Sequence, residues 1–81
     1  MRLSGHARVQ AARRGTTAAE IEETIHLQTW ASADGGRFEC RRDIPFGGDW
    51  NGKHYETRQV RPIFVEEATE IVVVTVYVYY F

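Results

Sequence analysis

Two helices are predicted at the start of the chain, where apolar residues recur at helical spacing between capping signals. Ser4 can cap a first helix that runs to about Arg14, where Gly15 ends it. Val9 and Ala12 are its expected anchors in the core. Beside them lies a polar, cationic stripe made of His6, Gln10, Arg13 and Arg14.

A second helix is predicted from a capping box, in which Thr17 and Glu20 satisfy each other's backbone N–H groups. This helix extends to about Leu27. Its expected buried stripe is Ala18, Ile21 and Ile25. Its acids are expected to point to solvent; they are Glu20, Glu22 and Glu23.

Strands are predicted in the middle of the chain. Residues 29–33 form a short one, and Asp34-Gly35-Gly36 is a hairpin turn signal. Residues 37–44 alternate, but Arg42 interrupts the inward row, which indicates a bulge or an edge position.

Residues 45–52 are rich in glycine and are predicted to be a loop with Trp50 as its one large anchor. Residues 54–65 are the next predicted strand. Pro62 lacks an N–H group, so this strand is expected to bend there or to run along an edge. Residues 66–70 form the turn into the last strand.

Residues 71–81 (IVVVTVYVYYF) hold no strand-breaking residue and are predicted to form a long central strand, apolar on both faces. One row of side chains is expected under the helices: Val72, Val74, Val76, Val78 and Tyr80. The other row is expected on a partly open surface: Ile71, Val73, Thr75, Tyr77, Tyr79 and Phe81. Ordinary packing with hydrated hydroxyls also explains that second row.

The predicted fold is a single α+β domain over residues 1–81. Two N-terminal helices pack on a four-stranded, mostly antiparallel sheet in the order α-α-β-β-β-β. The C-terminal strand is central.

Charge is unevenly distributed, although the formal net charge is only −1. The chain has nine arginines and one lysine, and residues 1–17 hold four arginines and no acid. Because arginine binds phosphate with a planar fork of donors, RNA is a candidate partner. A solvated arginine-rich surface is the alternative.

The lone Cys40 excludes an intramolecular disulfide and favours a reducing cytoplasm. No apolar run is long enough to span a membrane. No phosphate loop, nucleophile elbow or metal-ligand cluster is present, so neither a cofactor nor a metal ion is expected.

Several motifs resemble the bacterial domain of unknown function 4258. They are His6-Ala7, Arg14-Gly15, Glu22-Glu23, Asp34-Gly35-Gly36-Arg37, Gly52-Lys53 and Val73-Val74-Thr75-Val76-Tyr77. The chain departs from that pattern after Tyr77. The layout of that family looks like the RelE/ParE toxin superfamily, which implies, by analogy, a toxin that either cleaves mRNA or acts through a protein interaction.

RNA cleavage without a metal ion needs a base, an acid and cations that hold the phosphate. The candidate catalytic residues are His6, His54 and Tyr77. The candidate phosphate ligands are Arg13, Arg14, Arg61 and Thr75. Trp50 and Tyr55 are the candidates for stacking on a base.

A non-enzymatic interaction module is the competing hypothesis. The apolar end Tyr79-Tyr80-Phe81 invites pairing with another strand, in a homodimer or with an antitoxin-like partner. A small-ligand pocket between the first helix and the sheet is a third, weaker hypothesis.

Overall fold

The computed structural model describes all 81 residues as two helices and a mixed sheet of six strands, which gives the α+β class that the sequence predicts. The elements in chain order are β1 (Arg2–Leu3), α1 (Gly5–Arg14), α2 (Ala18–Leu27), β2 (Ala31–Ala33), β3 (Arg37–Glu39), β4 (Arg42–Trp50), β5 (Lys53–Glu66) and β6 (Ile71–Tyr80).

The centre of the sheet is β5, whereas the sequence predicts the C-terminal strand there. β6 pairs antiparallel with one side of β5, and β4 and β3 pair with its other side. β2 lies outside β3. β1 is a short strand absent from the predicted layout, and it pairs parallel with β6 only at Val72 and Val73. The rest of the outer edge of β6 has no strand beside it.

Pro62 lies within this central strand rather than at an edge, and it explains why β3 and β4 are separate. Glu39 lies opposite Ile63 and Arg42 opposite Val60, so both strands keep one register on β5. The gap between them faces Pro62, which has no N–H group to donate there. The interruption predicted near Arg42 therefore arises from the partner strand.

Both helices cover the same face of the sheet, and their buried residues form one core with β5 and β6. In α1 the buried residues are Ala7 and Ala11, whereas the expected anchor Val9 is 53% exposed and Ala12 is also exposed. Two small side chains let α1 lie close to β6, which explains why the larger Val9 points away.

α2 begins at Thr17 with the predicted capping box and buries Ile21 and Ile25. Thr24 completes the buried stripe, and the expected Ala18 is exposed. The Thr24 hydroxyl donates to the Glu20 carbonyl, which satisfies it inside the core.

A β-bulge in β6 changes which of its side chains face the helices. Ile63 pairs with Thr75 but Phe64 pairs with Val73, so Val74 is an extra residue. Val73 is therefore fully buried in the core, contrary to the predicted row. Val76, beyond the bulge, is fully buried under the helices as predicted. The face opposite the helices carries Thr75 and Tyr77.

The predicted loop over residues 45–52 is instead most of β4. The turn is only Asn51-Gly52, where both residues have positive φ, 51° and 81°. This is the two-residue hairpin that an Asn-Gly pair favours. The other glycines of the segment, Gly47 and Gly48, lie at an irregularity in the β4–β5 pairing.

Candidate functional site on the helix-free face

A shallow depression of about 450 Å³ lies on the face of the sheet that the helices leave uncovered. Strands β2, β3, β5 and β6 line it. It brings together three of the predicted site residues, Arg61, Thr75 and Tyr77, with Glu39 and Arg37 beside them. Its polar groups therefore come from four strands of one rigid sheet.

The ring of Tyr77 is the centre of this site, with two guanidinium groups near it. The Arg14 Cζ atom lies 4.9 Å from the ring centroid and the Arg61 Cζ atom 5.8 Å from it. Both distances are in the range of cation–π attraction. Tyr77 is 38% exposed, so a ligand can reach the ring and both cations.

Arg61 is fixed by two partners. Its Nη2 donates to Glu39 Oε2 at 2.5 Å and its Nη1 to the Tyr79 hydroxyl at 3.3 Å. The hydrogen bond from the Arg61 guanidinium lowers the pKa of Glu39, and the Glu39 carboxylate in turn raises the pKa of Arg61. The charge of Arg61 is thus largely balanced, and the pair mainly holds the side chain in place.

Arg14 reaches the site from the end of α1. Its Nη1 donates to the Val76 carbonyl at 2.9 Å. That carbonyl points to the outer edge of β6, because the pair of Val76 with Pro62 exchanges no backbone hydrogen bonds. Arg14 has no carboxylate within ion-pair distance, and neither has Arg37 in the depression. These two arginines carry the uncompensated positive charge of the site.

His6 and Arg13 are exposed residues of α1, and neither makes a side-chain hydrogen bond or an ion pair. α1 packs along β6. At its start Ser4 donates to the Val73 and Val74 carbonyls, and at its end Arg14 donates to the Val76 carbonyl. His6 therefore lies on the helix that borders the site, and its catalytic role stays a prediction.

His54 lies at the tip of the β4–β5 hairpin, on the same strand as Arg61 but seven residues away, or about 23 Å at the usual strand rise. Its Nδ1 lies 3.2 Å from Asp49 and its Nε2 2.7 Å from Glu56. These two carboxylates raise the pKa of His54, the Glu56 contact most. The structure does not bring His54 to the Tyr77 site, and both of its ring nitrogens are engaged.

Trp50 and Tyr55 are also apart from this site. Both pack around Tyr80: the Trp50 ring is stacked on it at 4.7 Å between centroids, and the Tyr55 ring lies 5.8 Å away. The Tyr80 hydroxyl donates to the Arg14 carbonyl at 2.7 Å. This aromatic cluster holds the end of α1 on the sheet, so the rings predicted to stack on a base are used for packing.

Three residues of the site are not among the candidates predicted from the sequence: Arg37, Glu39 and Tyr79. Tyr79 had a signal, because it is two positions after Tyr77 and therefore on the same face of the strand. Arg37 and Glu39 had none, because only the sheet order places β3 next to β5, across that strand from β6 and Tyr77.

The largest depression, about 990 Å³, lies elsewhere, between α2 and the turn from β5 to β6. Its charged lining is almost entirely acidic: Glu22, Glu23, Glu66, Glu67 and Glu70, with His26. The molecule is thus acidic at this end and basic along α1.

No group of three His, Cys, Asp or Glu side chains is close enough to hold a metal ion. Neither helix has the length and apolar character needed to cross a bilayer. Comparisons with protein-family models, curated proteins and solved structures found no match.

Proposed function

We propose that this domain binds single-stranded RNA on its helix-free face and cleaves it without a metal ion, in the manner of a RelE-like toxin acting on mRNA in the cytoplasm. The observation that supports this most is the exposed Tyr77 ring, with Arg14 and Arg61 within cation–π distance and the Thr75 residue in the same depression. Aromatic rings beside guanidinium groups on an open sheet suit an RNA strand.

In this proposal Arg14 binds the phosphate. One of its nitrogens is anchored on the Val76 carbonyl, and the others have no protein partner. An anchored guanidinium loses little freedom on binding, which favours a bidentate contact with phosphate oxygens. Thr75 would add one hydrogen bond to the same group.

The proton transfers are assigned to His6 and Tyr77. His6 would accept the proton of the attacking 2′-hydroxyl, and the Tyr77 hydroxyl would donate to the leaving oxygen. His54 is left out, because Asp49 and Glu56 engage both of its ring nitrogens.

The distribution of charge favours the β6 edge of that face, which the end of α1 borders. α1 contains three arginines and no acid, and none of them forms an ion pair, whereas the acidic cleft lies between α2 and the turn from β5 to β6. Such an asymmetry orients an approaching polyanion toward α1 and the adjoining edge of β6.

Incubation of the purified protein with a labelled single-stranded RNA in the presence of EDTA tests this proposal. We expect cleavage by the unmodified protein and a loss of at least about ten-fold in Arg14→Ala, the size typical of a charge-assisted contact. Arg8→Ala is the matched control, because Arg8 is an exposed arginine of α1 with no partner. Intact RNA with the unmodified protein, or equal loss in both variants, would refute the cleavage proposal.

A second candidate function is pairing with another chain through the outer edge of β6, and one observation favours it. Phe81 and Thr57 exchange two backbone hydrogen bonds, so the backbone groups of Val78 and Tyr80 point away from β5. No strand covers them, and Phe81 beside them is 58% exposed. Such an edge is a template for a strand of a second copy or of an antitoxin-like partner.

Val78→Pro tests this second candidate, because proline removes the outward N–H group and leaves the bonds to β5 intact. Val78→Ala is the control, since it loses similar packing but keeps the N–H. If the edge pairs with a second copy, light scattering will detect dimers for the alanine variant and monomers for the proline variant. Identical masses for the two variants would exclude pairing between copies through this edge.

A further inference from the structure

We propose that the rings of Tyr77 and Tyr79 hold one unpaired RNA base between them. This inference rests on the proposed RNA binding and specifies how that site recognises its ligand. It assigns base stacking to two exposed residues that are not part of the hydrophobic core.

The spacing of the two rings fits one inserted base. Their centroids are 6.5 Å apart and their planes differ by 17°. Stacked bases in nucleic acids follow one another at about 3.4 Å, so a base between two parallel rings needs about 6.8 Å. The tyrosine pair therefore has about the centroid separation that one base stacked between two rings requires.

The spacing is fixed by the backbone. Tyr77 lies opposite Arg61 and Tyr79 opposite Gln59, both in pairs that exchange backbone hydrogen bonds with β5. The hydroxyl of Tyr79 also accepts a hydrogen bond from Arg61. A base would stack on two rings carried by a fixed stretch of backbone, which reduces the entropy cost of binding.

The contrast with the other stacked pair supports this assignment. Trp50 and Tyr80 are only 4.7 Å apart with planes 11° from parallel, and both are half-buried. Nothing can enter between those rings. Tyr77 and Tyr79 are 38% and 43% exposed.

The charges around the pair specify the class of ligand. Arg14 lies over the Tyr77 ring and has no carboxylate partner, and the unpaired Arg37 lines the same depression as Tyr77. A flat apolar gap beside free guanidinium groups fits a base joined to phosphates. A base in a duplex is already stacked and paired, so the ligand is single-stranded. Because every base has a π-face, little sequence preference is expected.

Fluorescence anisotropy with a labelled eight-nucleotide oligouridine tests the inference. We expect Tyr79→Leu to raise the dissociation constant about five- to hundred-fold, as the removal of a stacking ring does elsewhere. Tyr79→Phe, which keeps the ring, is expected to bind within about two-fold of the unmodified protein. Phe81→Leu is the control, because Phe81 is an exposed aromatic residue of the same segment outside the pair.

The same measurement with an abasic oligomer of equal length separates base stacking from phosphate binding. We expect the abasic oligomer to bind the unmodified protein weakly and to be insensitive to Tyr79→Leu. Equal affinity of the two oligomers, equal loss in Tyr79→Leu and Phe81→Leu, or no binding of oligouridine would overturn the inference. Base-dependent binding without cleavage would retain the inference and refute the proposed ribonuclease activity.

Discussion

The Glu20 carboxylate and the Arg58 guanidinium face each other in a bidentate ion pair, with Nη1–Oε1 and Nη2–Oε2 distances of 2.8 and 2.6 Å. Glu20 also accepts hydrogen bonds from the Thr16 hydroxyl and the Thr17 N–H. Arg58 additionally donates to the Gly15 carbonyl. The residue expected to point to solvent thus joins the connection between the helices to the central strand.

Glu20→Gln is expected to lower the free energy of unfolding by about 1.5–3 kcal/mol, the range for hydrogen bonds to charged groups. Chemical denaturation at neutral pH measures it. Glu22→Gln is the matched control, because Glu22 is exposed and forms no ion pair. If the two variants are equally stable, the ion pair does not stabilise the fold.

The same ion pair predicts how stability depends on pH. The hydrogen bonds from Arg58 hold the pKa of Glu20 at about 2, below its ordinary 4.5. A lowered pKa stabilises the folded state above pH 4.5, and this contribution is lost as the pH falls from about 4.5 to about 2. Chemical denaturation over this pH range should show that the free energy of unfolding depends less on pH in Glu20→Gln than in the unmodified protein.

Gly15→Ala is expected to destabilise the fold more than Gly52→Ala does. Both glycines have φ near 80°, where a side chain costs about 1–2 kcal/mol. At Gly15 an added Cβ would also lie 2.5 Å from the Tyr80 hydroxyl and 3.0 Å from the Trp50 ring, whereas nothing lies within 4 Å at Gly52. Thermal melting of the two variants compares them, and equal melting temperatures would contradict the close packing at Gly15.

His54 is expected to titrate above its ordinary pKa, because Glu56 and Asp49 stabilise its protonated form. Since the folded-state pKa is raised, this contribution to stability is present at low pH and is lost as the pH rises through that pKa. NMR titration of the imidazole protons measures the shift. Glu56→Gln should move the midpoint downward, and an unchanged midpoint would exclude the contact in solution.

Cys40 is expected to react slowly with alkylating reagents at neutral pH. Its side chain is buried, and burial raises the pKa of the thiol to about 11, with a smaller effect of Glu39. The reactive species is the thiolate, which is therefore scarce. Mass spectrometry after alkylation should find the native protein unmodified while the urea-unfolded protein is fully labelled.

The helices could be predicted closely because their limits depend on local interactions. Ser4, Thr17 and Gly15 act through the hydrogen bonds and dihedral angles of their own segments. The buried side of α1 could not be predicted, because it depends on the distance to β6, which selects Ala7 over Val9. The bulge at Val74 could not be predicted either, because no residue near Val74 in the sequence indicates it.

The candidate site was predictable only in part. The exposure of Thr75 and Tyr77 on one face can be predicted from the alternation within one strand. The bulge at Val74 precedes both residues and does not change the face on which they lie. The grouping of Arg61 with Glu39 depends on strand order, which the sequence does not specify. Trp50 was predicted to stack on a base and packs on Tyr80, since an aromatic residue in a glycine-rich segment is typical of both packing and binding.

NMR mapping tests directly whether RNA binds the helix-free face around Tyr77. Titration of the ¹⁵N-labelled protein with the eight-nucleotide oligouridine should shift the backbone amides of Thr75, Tyr77 and Tyr79, together with those of Arg61 and Arg37. Amides at the acidic turn, residues 66–70, should stay unchanged. Shifts confined to other surfaces, or no shifts at all, would show that RNA does not bind at Tyr77.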